Sequence, residues 1–279
     1  MPASSYRDVT GYGANPPSFT WPGGTRVAVS LVINIEEGAE RGTAPGMQTA
    51  FDYGARAGIW RILRTLDRHG APATAFCCAV ALEANPAVSA ALVDRGYEIA
   101  DHGYRWEGHS GLDIGAERDL IVASRDAIRA STGMRPTSWY SKDGLNVFTR
   151  RTLAAEGFDY ESNSFNDDLP HWGPADEGTR LPVLPYAGDT NDAGLASQFP
   201  TGSAFARHLM DTLDFQLDDP RPGPSVMSVG LHPRVIGRPA YAGALDRFLS
   251  HAAERGAWIA TRQEIVRWWL DQGGGHEAL

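Results

Sequence analysis

The residues able to do chemistry sit where apolar runs stop. Val27 to Ile35 is an apolar, β-branched run that ends on Glu36-Glu37-Gly38. The run reads as a buried strand, so two carboxylates stand at its C-terminal mouth. Alternation along a strand sends neighbours to opposite faces. At a strand end that alternation relaxes, and both carboxylates are expected to be free to turn toward one pocket. Such a pair suits a general base or a metal ligand; the bland alternative is a solvated loop start. The same placement recurs downstream, with His102, the Arg135-Pro136 turn, the Asp167-Asp168 loop and His232 assigned to further strand ends. Polar residues repeated at strand mouths point to a barrel-type active site.

The elements that must position them alternate. Helical spacing of Ile59, Ile62, Leu63 and Leu66 predicts a helix over 53–69, stopped by Gly70. Residues 72–80 read as a second buried strand, 86–95 as a helix and 97–100 as a short strand running into Asp101-His102-Gly103. Asp113 opens a helix that ends before Gly133. Strands follow at 137–140 and 158–160 with a helix between, and 203–217 and 241–255 are helices around a strand at 225–231. A short strand at 258–260 and an amphipathic helix at 262–271 complete the series. Strands alternating with helices favour a parallel α/β sheet. Residues 38–48 read as loop. Residues 163–192, rich in Asn, Asp, Pro and aromatics, read as an irregular binding segment over the strand mouths, with Trp172 and Tyr186 in one pocket wall.

The 279 residues, 42% of them hydrophobic, suffice for one large core. We expect a lead-in over 1–24, one domain over 25–271 and a tail over 272–279. A net charge of −9 argues against nucleic acid as a partner. No apolar segment reads as a signal peptide or membrane span. Cys77 and Cys78 are adjacent in an apolar run and read as buried small hydrophobes rather than a disulfide, which fits a cytoplasmic location. A small-molecule substrate and a homo-oligomer are the partners expected.

Taken in order, these motifs resemble the NodB-homology polysaccharide deacetylase superfamily, from about Val27 to Trp269. Glu36-Glu37-Gly38 stands where that family carries Asp-Asp-Gly. Asp101 to Trp106 stands at its second motif, Arg135-Pro136 at the third, Asp167 to Trp172 at the fourth and Leu231-His232 at the fifth. The resemblance implies an incomplete, distorted TIM-like barrel. It also implies that Arg135 orients the base carboxylate, and that Glu37, His102, Arg105, Trp106, Tyr140, Asp168 and Trp172 bind substrate.

The departures narrow the branch. Trp106 occupies the position of the second metal histidine, and an indole cannot ligate zinc. Asn34 to Gly38, His102 to Trp106, Asp167 to Trp172 and His232 to Pro239 are similar to PuuE-type, metal-independent allantoinases and cyclic-imide hydrolases. The segment Trp139 to Gly144 departs from the allantoinase pattern, which leaves the ring open to identification. No cofactor is favoured; a divalent metal such as zinc would have to use Glu37, His102 and a shifted ligand in His109, whose bland reading is a surface-loop histidine.

Hydrolysis of an amide needs an activated water, a stabilised oxyanion and a proton for the leaving nitrogen. Without a metal to acidify water, the carbonyl must be more electrophilic than an acetamide's, as it is in cyclic imides and ureides. The expected activity is therefore hydrolysis of a non-peptide C–N bond in a small cyclic amide, with Glu36 as base and His232 as acid. A metal-dependent deacetylase of N-acetylated sugars and a non-catalytic binding protein on the same barrel are the alternatives.

Overall fold

The computed structural model describes residues 8–274 except 177, 187, 195–199 and 222. Residues 1–7 of the expected lead-in and 275–279 of the expected tail lie outside the described residues. The rest of the lead-in is packed. Trp21 is buried and its indole N–H donates to the carbonyl of Ser225 at 2.9 Å.

Among the described residues one sheet contains nine strands: β1 (Val27–Ile35), β2 (Thr74–Cys77), β3 (Glu98–Asp101), β4 (Ser138–Trp139), β5 (Tyr160–Glu161), β6 (His171–Asp176), β7 (Thr179–Val183), β8 (Ser225–Leu231) and β9 (Trp258–Ile259). Their order is β6-β7-β5-β4-β3-β2-β1-β8, with β9 pairing β1. Every pairing is parallel except β6 with β7. Apart from β6, the strands therefore end on the same side, which we call the top. The open side between β8 and the far edge is narrowed by a parallel bridge from Asn191 to Gly230. A Cβ on Gly230 would collide with the Tyr186 hydroxyl and the Asn191 amide. Only glycine lets the 186–191 segment approach so closely. The result is the distorted, incomplete barrel that the sequence implied.

Alternation along β1 sorts the core. Val27, Val29, Leu31, Ile33 and Ile35 face helices α2 (Ile59–His69), α7 (Gly202–Asp218) and α8 (Pro239–Glu254), in the main apolar cluster. Val32 faces inward with Phe76, Ala100 and Tyr186. Asn34, on the same face, donates to the Tyr186 hydroxyl at 3.1 Å. Strand rise and pleat then carry the next residue of the inward series, Glu36, to the rim of the interior.

Helices α3 (Ala79–Ala84), α4 (Pro86–Asp94), α5 (Ile114–Thr132), α6 (Thr149–Ala155) and α9 (Arg262–Asp271) complete the outer layer. Asp113 caps α5 by accepting from the Ala116 N–H at 2.9 Å, and Gly133 ends it at φ 73°. The expected helix over 53–69 starts earlier. Pro45–Tyr53 forms α1, and a single π-turn at Gly54–Gly58 joins it to α2. Pro45 stands at the first helical turn, where its missing N–H has no intrahelical role. The expected strand over 72–80 is shorter, because Ala79 already begins α3. The segment 163–192 is less irregular than expected: it holds the antiparallel β6–β7 pair. Both cysteines are buried and free.

Candidate active site

Glu36 lies at the top of β1, 2% exposed, among His102, His232 and Arg234. Its Oε1 is 3.2 Å from His102 Nε2 and 3.6 Å from His232 Nε2. Its Oε2 is 2.7 Å from Arg234 Nη2, but the contact is out of hydrogen-bond alignment. Burial pushes the Glu36 carboxyl up. His232, His102 and Arg234 outweigh burial and hold it well below the usual carboxylate range.

Each partner is fixed by a second contact. His102 follows β3, and its Nδ1 donates to the Tyr140 carbonyl at 2.8 Å. That bond turns Nε2 toward Glu36. His232 follows β8, and its Nδ1 donates to Asp192 Oδ1 at 2.6 Å. Asp192 is fully buried, and its other oxygen accepts from the backbone N–H groups of His232 and Ile236 at 2.8 and 3.1 Å. Burial alone would lower the His232 pKa. Asp192 and Glu36 reverse that and raise it to about 9, so the ring is an imidazolium at neutral pH.

Glu37 takes the other direction. Its Oε1 has no hydrogen-bond partner and lies beside Gly54 of the π-turn, 3.7 Å from Arg234 Nη1. Burial raises it to about 7, against the opposing pull of Arg234. The two carboxylates therefore do not turn into one pocket; the strand alternation persists to Glu37, and Arg234 is the group that touches both. The guanidinium of Arg234 lies 4.4 Å over the Phe51 ring and 5.5 Å from the Trp106 ring. Tyr140 stacks on Phe76 with centroids 4.9 Å apart and lies 5.0 Å from the His102 ring. Arg105 is half-buried in the same 102–112 loop, with no ion-pair partner among the described residues.

Three expected site residues lie elsewhere. Arg135 is exposed below β4, where it donates to the carbonyls of Gly157 and Glu156. It precedes its strand, so a parallel sheet puts it at the bottom; Arg234 holds the position toward Glu36 that Arg135 was expected to fill. Asp168 is at the foot of β8, its carbonyl accepting from Val226 at 2.7 Å and its carboxylate 3.3 Å from Arg221. It lines a groove of about 530 Å³ between α7 and the 165–190 segment, which none of Glu36, Glu37, His102 and His232 lines. Trp172 packs on Trp269 and donates to Gly274. The 163–192 segment does reach the strand tops, but through Tyr186 and Asp192 rather than Trp172.

Asp192 and Arg234 are the residues that sequence reasoning undervalued. Arg234 stands two positions after His232, and that proximity was a usable signal. Asp192 sits in a short helical turn, and only the bridge to Gly230 brings it to His232.

The donors present bear on whether a metal could sit here. Trp106 cannot ligate. His109 is buried rather than on a surface loop, and its Nδ1 lies 3.4 Å from Glu117 Oε1 without a hydrogen bond. Glu36 already faces the Arg234 guanidinium and the His232 imidazolium, which would repel a divalent ion. Among the described residues no three His, Cys, Asp or Glu side chains are grouped to hold a metal. The residues do not fit the three-donor site that a catalytic zinc requires.

A carboxylate facing an anchored imidazolium across the top of a distorted barrel defines a hydrolase-type site. Comparison with known proteins agrees with that class. Residues 41–157 match the polysaccharide deacetylase family. A Schizosaccharomyces pombe protein that carries a polysaccharide deacetylase name is 30% identical over 94% of this chain and 96% of its own. The structure of a probable polysaccharide deacetylase from Pseudomonas aeruginosa PAO1 superposes with a TM-score of 0.88 at 37% identity, covering 95% of this chain and 98% of that one. The structure of PuuE allantoinase also superposes at 0.88, with 36% identity over 95% and 97% of the two chains. The chain belongs to the polysaccharide deacetylase family. No helix among the described residues is long and apolar enough to cross a membrane.

Proposed function

We propose that this protein hydrolyses a non-peptide C–N bond in a small cyclic amide, a ureide or an imide, without a metal. The observation that carries the reading is the line Asp192–His232–Glu36. A buried carboxylate fixes the imidazolium at 2.6 Å, and its other nitrogen stops 3.6 Å from Glu36. That separation is too long for a direct hydrogen bond, so both groups keep capacity for one reacting centre placed beside the gap, within reach of each.

Glu36 accepts a proton from water as the oxygen attacks the ring carbonyl. Its low basicity gives little driving force, which restricts the reaction to activated carbonyls. The developing oxyanion faces Arg234 and His232, whose charges oppose its cost. His232 Nε2 then gives its proton to the leaving nitrogen, the C–N bond breaks and the ring opens. Proton return from Glu36 to His232 completes the cycle. The likeness to PuuE allantoinase and the indole at position 106 support a cyclic amide over an acetylated sugar.

The test is a turnover screen of hydantoin, allantoin, succinimide, a dihydropyrimidine and N-acetylated sugars, each with and without EDTA. Ring opening that survives EDTA is the expected result. Release of acetate that requires added zinc would replace this reading with the metal-dependent deacetylase.

A further inference from the structure

The chain has 24 arginines and a single lysine, Lys142. An ammonium differs from a guanidinium in being a compact charge with three rotatable donors. Where every other fixed cation is arginine, the position of the one lysine carries information.

Lys142 stands two residues after Tyr140, whose carbonyl holds His102. Its backbone is clamped on both sides. Gly108 forms a parallel bridge with it. Ser141, next to it, donates to Asn163 Oδ1 at 2.9 Å and accepts from Asn163 Nδ2 at 2.6 Å. The turn closes with Ser141 Oγ donating to the Gly144 carbonyl at 2.9 Å. Asp143, at φ 61°, is the one non-glycine residue with positive φ among the described residues. Backbone in that region is unfavourable for most side chains and persists where its surroundings enforce it. The clamp presents Lys142 Nζ 4.0 Å from the centroid of the Trp106 ring. The same indole is 5.5 Å from the Arg234 guanidinium that contacts Glu36. Lys142 is half-buried and has no carboxylate in ion-pair reach among the described residues.

We propose that Lys142 is a specificity-determining residue that receives a carboxylate carried by the ring substrate. The assignment rests on the cyclic-amide reading above. A neutral ring would leave the ammonium facing only an indole. A ring bearing a carboxylate pairs it, and the rigid turn means that little order is lost on binding.

The single lysine makes the test direct. Reductive methylation with ¹³C-formaldehyde keeps its charge and gives one lysine methyl resonance, separate from that of the α-amino group. Hydantoin and hydantoin-5-acetate share a ring and differ in the carboxylate. Titration of the labelled protein with each should move the Lys142 resonance more for the acetate. The unlabelled protein should bind the acetate at least tenfold more tightly by calorimetry. Lys142→Met should erase the preference, Lys142→Arg should keep part of it, and Lys142→Glu should invert it. Equal affinity for the two rings, or a preference that survives in Lys142→Met, overturns the Lys142 assignment alone. Neither ring binding overturns both it and the cyclic-amide reading.

Discussion

Glu98 stands at the foot of β3 and Glu36 at the top of β1, and the two carboxylates are treated oppositely. Glu98 accepts from Ser138 Oγ at 2.9 Å, the Tyr160 hydroxyl at 2.6 Å, Thr74 Oγ1 at 2.8 Å and the Gln263 N–H at 2.9 Å. Beside it, fully buried Arg262 donates to Ser162, Ser228 and the carbonyls of Leu184 and Pro185. Both groups at the foot are saturated. At the top, Glu36 Oε2, Glu37 Oε1 and Arg234 Nη1 are buried without a hydrogen bond. Buried polar groups in native proteins are nearly all paired, and the exceptions call for an explanation. A saturated network fixes the strands in one register. An unsaturated one keeps its bonding capacity for a substrate. Glu98 is thus held as a structural group, while Glu36 is left with bonding capacity.

That contrast breaks most visibly by substitution at each end. Glu36→Gln keeps shape and removes the base, so kcat should fall by about a thousandfold, within the range for one acid–base group. The circular dichroism spectrum should be retained. A variant with near-normal kcat would show that Glu36 belongs with Glu98, among structural carboxylates. Arg262→Met should do the reverse. Leaving its buried acceptors unpaired costs about 1–3 kcal/mol for each group, read as a lower urea midpoint, while the folded fraction keeps kcat within a few-fold.

A smaller effect sharpens the top cluster. In Asp192→Asn the imidazole loses its main stabilising charge, and the His232 pKa should drop from about 9 toward or below 6.5. Because the folded value is raised, the associated stability is full below about pH 6.5 and is lost as pH rises through 9. Wild-type stability should therefore decline over that window, and Asp192→Asn should flatten the decline. Histidine-selective NMR titration and thermal melts at pH 6 to 10 would check both. An unchanged midpoint in the variant would remove Asp192 from the account. The smallest effect is that of Arg135→Ala. The residue is exposed and remote from Glu36, so kcat should change by less than about twofold and stability by less than about 1 kcal/mol.

The history of Arg135 shows what sequence can and cannot place. Glu36, His102 and His232 were legible because each follows an apolar run, and in a parallel sheet the ends of strands converge. Arg135 comes before its strand and so falls at the foot, whereas Asp168 precedes the antiparallel β6 and is held at the foot of β8 by the bond from Val226 to its carbonyl. Strand direction alone would have excluded Arg135, but motif order obscured it. Asp192 was illegible for another reason. Its partner is 40 residues away, and the contact depends on a glycine that lets two chain segments touch. The β6–β7 pair was hidden because its Pro and Gly residues break the alternation that marks a strand. The helices at 114–132 and 262–271 carried both periodicity and caps, and their boundaries were readable to within a residue.

The central claim is that an ionised Glu36 faces a protonated His232. The most direct measurement is the pH dependence of kcat/KM for ring opening, in EDTA, on whichever cyclic amide the screen identifies. A plateau is expected at neutral pH, with an acidic limb below the usual carboxylate range and an alkaline limb near 9 set by His232. An alkaline limb near the ordinary histidine value, or a rate that rises steadily through pH 9, would contradict it.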